Sequence, residues 1–193
     1  NITGSLKELN ITHKFINLVD DDFDEERIFE NITAKTKMIA IQRSRGYNWR
    51  KSLSIAKMEC IIKKIKTRNP QIIIFVDNCY GEFLDYLEPT DVGVDVMAGS
   101  LIKNPGGGLA ITGGYIVGRQ PLVERCAKRL TSNSIGKECG LTFNTNRITL
   151  QGLFMAPSVV NGAIKGAVLT AKLFENDGYK VFPRSTDERS DII

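Results

Sequence analysis

Residues 72–76 form an unbroken apolar run, Ile-Ile-Ile-Phe-Val, which ends at Asp77. A strand without polar alternation is typical of a parallel sheet that is covered on both faces. A second strand-like run occupies residues 38–42. Apolar residues at helical spacing separate the two runs: Ile55, Met58, Ile61, Ile62 and Ile65. Strand, helix and strand in this order predict a right-handed βαβ unit with parallel strands, and therefore an α/β protein.

Polar side chains follow each predicted strand at its carboxyl end. A third run, residues 94–98, precedes Gly99 and Ser100. Ligands of open α/β sheets bind beyond the carboxyl ends of the strands. We therefore expect the side chains after the three strands to share one edge of the sheet. They are Gln42, Arg43 and Ser44 after the first strand, Asp77 after the second, and Ser100 and Lys103 after the third.

Lys103 lies between an apolar pair and a proline followed by three glycines, residues 105–108. Desolvation of a lysine lowers the pKa of its amine and makes it a nucleophile. A solvated surface lysine beside a tight glycine turn is the alternative. The added carboxylate of Asp77 and hydroxyl of Ser100 favour a pyridoxal phosphate site. In such a site the lysine holds the cofactor, the carboxylate pairs with the pyridine nitrogen, and hydroxyl and amide groups hold the phosphate.

The spacing of these residues resembles a known group of enzymes. Asp77-Asn78, with Lys103 downstream and Ser100 three residues before the lysine, resembles the cystathionine and methionine lyases. Four segments resemble more closely the branch called aluminium-resistance or methionine γ-lyase family proteins, and the resemblance runs along essentially the whole chain. They are IQRSRGY at 41–47, DNCYGEF at 77–83, GSLIKNPGG at 99–107 and IGKECG at 135–140.

The resemblance implies the aspartate-aminotransferase fold, a three-layer α/β sandwich with a mostly parallel sheet, which is fold type I of the pyridoxal phosphate enzymes. It makes Lys103 the Schiff-base lysine, Asp77 the pyridine partner and Ser100 a phosphate ligand. Ser44 is a further candidate for cofactor binding. The residue before the lysine is often a phosphate-binding threonine in these lyases, but here it is Ile102. Phosphate binding must then depend on other groups.

The implied activity is pyridoxal-phosphate-dependent carbon–sulfur lysis. The substrate would be a sulfur-containing amino acid such as cystathionine or methionine, cleaved by β- or γ-elimination in a homodimer or homotetramer. We expect residues 1–178 to belong to the large cofactor-binding domain, incomplete at its N-terminus, and residues 179–193 to begin a truncated small domain.

Composition restricts the function further. The chain has 193 residues, a formal net charge of +4 and 42% hydrophobic residues, which is ordinary for a globular domain. We expect no nucleic-acid partner, because the basic residues are scattered. Four cysteines without a Cys-x-x-Cys spacing and a single histidine argue against a zinc site. No signal peptide or membrane span is evident, so we expect a cytoplasmic protein that does not enter a membrane.

Several local predictions accompany this interpretation. We expect strands at 14–19 and 179–182, a helix after the acidic residues 20–22, a hairpin turning at 113–114, a helix from Pro121, and two helices at 146–155 and 158–175. The arginine-rich loop 43–51 is either a phosphate or carboxylate site or a solvated or interface loop. Lys137 and Glu138 either reach an active site or lie on the surface. Cys79 is interpreted as a small packed residue rather than a nucleophile.

Two other function classes stay open. A nucleotide-binding α/β domain could use the glycines at 106–108, although the chain lacks both common phosphate-loop patterns there. A non-catalytic protein of the same fold, kept for assembly or regulation, is the other.

Overall fold

The computed structural model describes residues 5–131, 135–138 and 140–192. Its centre is a four-stranded sheet in the order β1-β2-β3-β4. The strands are β1 (Met38–Gln42), β2 (Ile73–Asp77), β3 (Val96–Ser100) and β4 (Gly114–Gly118). The first three strands are parallel, and β4 is antiparallel to β3. The predicted α/β class and mostly parallel sheet are therefore confirmed.

Four α-helices accompany the sheet in the described part of the chain. They are α1 (Glu25–Asn31), α2 (Ile55–Arg68), α3 (Gln120–Leu130) and α4 (Asn146–Asn176). Short 3₁₀ turns lie at Leu6–Leu9, Pro89–Val92, Asn104–Gly106 and Gly136–Glu138. The predicted helix after the acidic run is α1, but its cap is Asp24, whose side chain accepts a hydrogen bond from the Arg27 amide at 3.0 Å. The predicted helix from Pro121 is α3, which begins one residue earlier.

Helix α2 connects β1 to β2 and supplies one side of the core. The five apolar residues that predicted it are all buried, and they pack with buried residues of the strands. Along β2, Ile74 and Val76 are fully buried, whereas Ile73 and Phe75 are only partly buried. The expectation of a strand buried on both faces is thus met on the α2 face only.

Four local predictions are wrong. Residues 14–19 form no strand, and only Val19 makes a bridge, to Asp22. Residues 179–182 are irregular. No hairpin turns at 113–114, since β4 pairs with β3 and the Leu101 amide bonds to the Gly113 carbonyl at 3.0 Å. The two helices predicted around Pro157 are one continuous helix, α4.

Helix α4 is long and apolar enough to cross a membrane by length and composition alone, although most of its apolar window is exposed in this structure. A helix that other parts of a larger protein cover has the same properties. The absence of a membrane partner therefore stays a prediction.

Asp95, just before β3, joins several elements. Its side chain is 5% exposed and accepts hydrogen bonds from the Ile74 amide at 2.7 Å, from Lys66 Nζ and from Arg119 Nη1 at 3.1 Å. Burial by itself raises the pKa of Asp95, but these three donors outweigh burial and hold the pKa below its ordinary value. The charged carboxylate thus stabilises the fold by linking α2, β2 and the residue before α3.

We predict that Asp95→Asn in the full-length protein costs about 1.5–3 kcal/mol at pH 7, because hydrogen bonds to a charged group lose their ionic part. A lowered folded-state pKa gives stability that is present above the unfolded pKa and lost as the pH falls through the folded one. The difference in thermal stability between variant and wild type should therefore shrink as the pH falls below about 4. The exposed Glu124→Gln is the control. A difference that stays constant across this pH range would contradict the assignment.

Candidate active site

The carboxyl ends of the three parallel strands meet at one edge of the sheet, as predicted. Gln42 of β1 pairs with Asp77 of β2, and Asp77 pairs with Ala98 of β3. Ser100 lies two residues beyond Ala98, at the end of β3. The register therefore brings Asp77 and Ser100 to the same edge, and the chain turns there toward Lys103.

Lys103 lies in a tight turn directly after β3. In this turn its backbone amide donates a hydrogen bond to the Ser100 carbonyl at 3.3 Å. Its Nζ lies 4.4 Å from the centroid of the Tyr80 ring. Burial by itself lowers the pKa of the Lys103 amine, but the side chains of Cys79, Tyr80 and Asp77 outweigh burial and raise it. The prediction of a pKa lowered by desolvation is therefore wrong for this structure. The side chain is only half-buried, and its neighbours favour the ammonium form.

Asp77 stands at the end of β2, near enough to this amine for its charge to contribute to the raised pKa of Lys103. Its Oδ1 accepts a hydrogen bond from the Cys79 amide at 3.1 Å, which fixes the carboxylate at the start of the following turn. Burial and the Asp77 carboxylate raise the pKa of the Cys79 thiol. A neutral thiol is a poor nucleophile, which agrees with the interpretation of Cys79 as a packed residue.

The two candidate serines differ in position. Ser100 is half-buried in β3, opposite Gly114 of β4. Ser44 is 5% exposed, and its carbonyl accepts from Arg50 Nη2 at 2.6 Å. It follows β1, which β2 separates from β3, so it lies about 10 Å across the sheet from the end of β3. The structure thus groups Lys103, Asp77 and Ser100, with Ser44 farther along the edge.

Arg43 is neither a solvated residue nor a free anion ligand. Its side chain is fully buried, and Nη1 donates to Asn78 Oδ1 at 3.0 Å and to the Gly81 carbonyl at 2.8 Å. Its Nη2 pairs with Asp85 at 2.9 Å. Burial lowers the pKa of Arg43, and nearby Glu88 and Asp85 partly offset this effect. Both predictions for this arginine, an anion site and a solvated side chain, are therefore wrong. Its buried side chain instead stabilises the turn after β2.

We call residues 78–85 the braced turn. Besides Arg43, Glu82 holds it to the sheet, because Glu82 Oε1 accepts from the Tyr115 hydroxyl of β4 at 2.6 Å. Burial raises the pKa of Glu82, and the Tyr115 hydrogen bond partly offsets it. The Glu82 carbonyl accepts from Asn104 Nδ2 at 3.0 Å. The braced turn is therefore bonded to the residue that follows Lys103.

The other two arginines of the loop 43–51 also make internal contacts. Arg45 Nη1 donates to the Phe182 carbonyl at 3.0 Å, and its guanidinium lies 4.9 Å from the Phe182 ring centroid. The Trp49 ring stacks on Phe182 at 5.9 Å. Arg50 bonds to the carbonyls of Ser44 and Lys51. The loop thus anchors the C-terminal segment of the chain through Arg45 and Trp49, while Tyr47 at its tip is exposed.

The glycines after Lys103 pack against α4. A Cβ on Gly106 would lie 1.8 Å from the Leu101 carbonyl oxygen, and one on Gly107 would lie 2.2 Å from the Gly152 carbonyl oxygen. Gly107 also has a φ of 54°. These two glycines are required for a tight turn and a close helix contact, which removes the main support for a nucleotide-binding loop.

Two further predictions concern surface and metal sites. Lys137 and Glu138 are exposed in the 3₁₀ turn beside α3, whereas Cys139 lies outside the described residues. Within the ranges that the structure describes, no three His, Cys, Asp or Glu side chains are grouped closely enough to hold a metal ion.

Sequence reasoning missed three residues of this edge. Tyr80, Glu82 and Asn104 act through contacts between segments far apart in the chain. The only available signal was their place inside the two resembling segments at 77–83 and 99–107.

The chain is similar to known proteins along its whole length. The family model described as methionine gamma-lyase matches residues 1–193. A protein of Bacillus subtilis (strain 168), YnbB, which is uncharacterised, is 47% identical over 98% of this chain and 45% of its own length.

Two solved structures share the fold over the entire chain. A candidate cystathionine β-lyase involved in aluminium resistance from Clostridium acetobutylicum is 49% identical, with a TM-score of 0.95, over 46% of that protein. A carbon–sulfur lyase involved in aluminium resistance from Clostridium novyi NT is 45% identical, with a TM-score of 0.94, also over 46%. The chain thus spans less than half the length of these three relatives, and the predicted fold is confirmed.

We predict that Gly81→Ala destabilises the full-length protein, because the new Cβ would lie 2.5 Å from Arg43 Cδ and 2.7 Å from its Nη1. Overpacking of this kind costs typically about 1–3 kcal/mol. Gly162→Ala in α4 is the matched control, since its Cβ meets nothing within 4 Å. Alanine is the better helix former there, by about 1 kcal/mol. Thermal unfolding should separate the two variants, and equal melting temperatures would contradict the packing of Arg43 beneath the braced turn.

Proposed function

Because the chain belongs to the methionine γ-lyase family, whose model matches all of its residues, we propose that the protein is a pyridoxal-phosphate-dependent carbon–sulfur lyase. The observation that carries this proposal is the position of the Lys103 amine, 4.4 Å from the ring of Tyr80 in the turn that follows Asp77, at the carboxyl edge of the parallel strands. An amine and a carboxylate beside a serine are the donor set that this cofactor requires.

The residues present fit the cofactor. Lys103 supplies the amine that would hold it covalently, and Asp77 supplies a carboxylate at the end of a buried strand. The Cys79 amide fixes that carboxylate. Ser100, in the same turn as Lys103, and Ser44 farther along the edge supply hydroxyls for the phosphate. Ile102 is 61% exposed and offers no hydroxyl, so the serines and neighbouring amides carry the phosphate contacts.

Each residue has its own task in this proposal. Pyridoxal phosphate supplies an electron sink that stabilises negative charge developing at a substrate α-carbon. Asp77 keeps a proton on the pyridine nitrogen, because an anionic partner favours the charged form of a base. The Lys103 amine, once free, accepts the proton from the α-carbon and retains it at Nζ. Proton transfer to a positioned base typically contributes about 10²–10⁴ in rate.

The substrate class is a sulfur-containing amino acid, such as cystathionine or methionine, cleaved by β- or γ-elimination. The names of the Clostridium relatives support carbon–sulfur lysis. A cytoplasmic homodimer or homotetramer is part of the same proposal. The relatives are about twice as long as this chain, so the substrate-carboxylate ligands are expected in the part of the protein that these residues do not include.

We predict that Lys103→Ala abolishes the borohydride-trapped pyridoxal phosphate adduct of the full-length protein, because no other amine stands beside Asp77 in this proposal. The exposed Lys63→Ala is the control and should leave the adduct unchanged. Mass spectrometry of the digested protein locates the adduct. An undiminished adduct, or one on a different lysine, would remove Lys103 from the mechanism.

We predict that Asp77→Asn lowers the rate of thiol release from sulfur amino acids by about 10- to 100-fold, because a charge-assisted bond worth roughly 1.5–3 kcal/mol is lost. The fold should persist, since asparagine can still accept the Cys79 amide. Exposed Asp177→Asn serves as the control. A variant that turns over at the wild-type rate would exclude the pairing of Asp77 with the cofactor, and a wild-type protein that binds the cofactor without releasing thiol would support the non-catalytic alternative.

A further inference from the structure

Tyr80 has a backbone conformation that is unfavourable for an aromatic residue. Its φ is 69°, in the left-handed region, whereas the next residue, Gly81, is not among the glycines with positive φ. The strained position is thus occupied by tyrosine and not by the adjacent glycine. Such strain persists only where surrounding contacts over-determine it.

The braced turn supplies those contacts. Arg43 bonds to the residues on both sides of the Cys79–Tyr80 pair, through the Asn78 side chain and the Gly81 carbonyl. The Gly81 amide donates back to the Asn78 carbonyl at 2.9 Å, which closes the turn. Since Arg43 is fully buried and leaves no room for a Cβ at Gly81, the turn cannot relax without losing these bonds.

The result of this strained conformation is a ring against the Lys103 amine. The Nζ lies 4.4 Å from the Tyr80 centroid, within the range of a cation–π contact. Asn104, the residue after Lys103, is bonded to Glu82 of the same turn. The braced turn thus contacts the lysine segment at two points, at the Lys103 amine and at the side chain of the next residue, Asn104.

We propose that Tyr80 is a positioning residue for Lys103: its ring face holds the ammonium form of the amine beside Asp77. This inference rests on the proposed role of Lys103 and extends it. The groups facing the amine are Asp77 at the end of β2, and Cys79 and Tyr80 in the braced turn. Asp77 attracts the ammonium by charge, whereas the ring attracts it through its quadrupole and limits its directions of movement.

The function of this arrangement is to retain a proton at Nζ. A lysine that accepts a proton during turnover must remain in place as an ammonium until the proton is passed on. Cys79 hydrogen-bonds to the amine, whereas the ring stabilises the ammonium through its face and forms no hydrogen bond with it. A relaxed turn would move the ring away from the amine.

The test measures the protonation of Lys103 directly in the full-length protein prepared without cofactor. Trace labelling with acetic anhydride between about pH 8 and 11, with Lys103 quantified by mass spectrometry against exposed Lys63, gives a titration midpoint. Tyr80→Phe keeps the ring, whereas Tyr80→Leu and Tyr80→Gly remove it. Tyr80→Gly should fold even if Tyr80→Leu does not, because glycine adopts positive φ without steric cost.

Tyr80→Phe should lower the midpoint less than Tyr80→Gly does, because it keeps the ring and loses only the ionisable hydroxyl, whose charge also raises the pKa of Lys103. Loss of the ring should lower the midpoint enough to raise the free-amine fraction of Lys103 by about two- to fivefold at a given pH below it. A change in access alone would alter the plateau and not the midpoint. The proposal is overturned if Tyr80→Gly keeps the wild-type midpoint, or if Tyr80→Phe shifts as far as Tyr80→Gly. Because no cofactor is present, this outcome is independent of whether Lys103 binds pyridoxal phosphate.

Discussion

The buried guanidinium of Arg43 is the interaction on which the site depends. A fully buried arginine is costly unless its charge is compensated. Here Asn78, Gly81 and Asp85 bond to its two terminal nitrogens, and Glu88 adds a carboxylate 3.7 Å from Nη1. The three hydrogen-bonded partners belong to the turn that follows Asp77. The position of β1 therefore determines the shape of the turn after β2, because the Arg43 side chain reaches from the end of β1 into that turn.

The parallel sheet and the braced turn each place part of the proposed site. The register of β1, β2 and β3 brings Asp77 and Ser100 to one edge by main-chain hydrogen bonds alone. Main-chain pairing does not direct the Lys103 amine. That direction comes from Tyr80 and from the bond between Glu82 and Asn104. The glycines that follow Lys103 then fix the loop against α4 at Gly152.

The sequence was sufficient for the parts governed by periodicity and poor for those governed by long-range contacts. The spacing in α2 and the apolar runs predicted β1, β2 and the shared edge, because these signals are local. Arg43 was misjudged because its partners lie 35 or more residues away. The raised pKa of Lys103 was missed because it depends on Cys79 and Tyr80, which the fold brings to the amine. The hairpin predicted to turn at 113–114 does not form, because β4 pairs with β3 and not with the residues just before it.

The most direct test of the account is a crystal structure of the full-length protein grown with pyridoxal phosphate. The account predicts a covalent link to Lys103 Nζ, with a carboxylate oxygen of Asp77 about 3 Å from the pyridine nitrogen. The phosphate should lie toward Ser100 at the carboxyl ends of the parallel strands. A cofactor bound elsewhere on the protein, or linked through a different lysine while this edge stays free of it, would contradict the account.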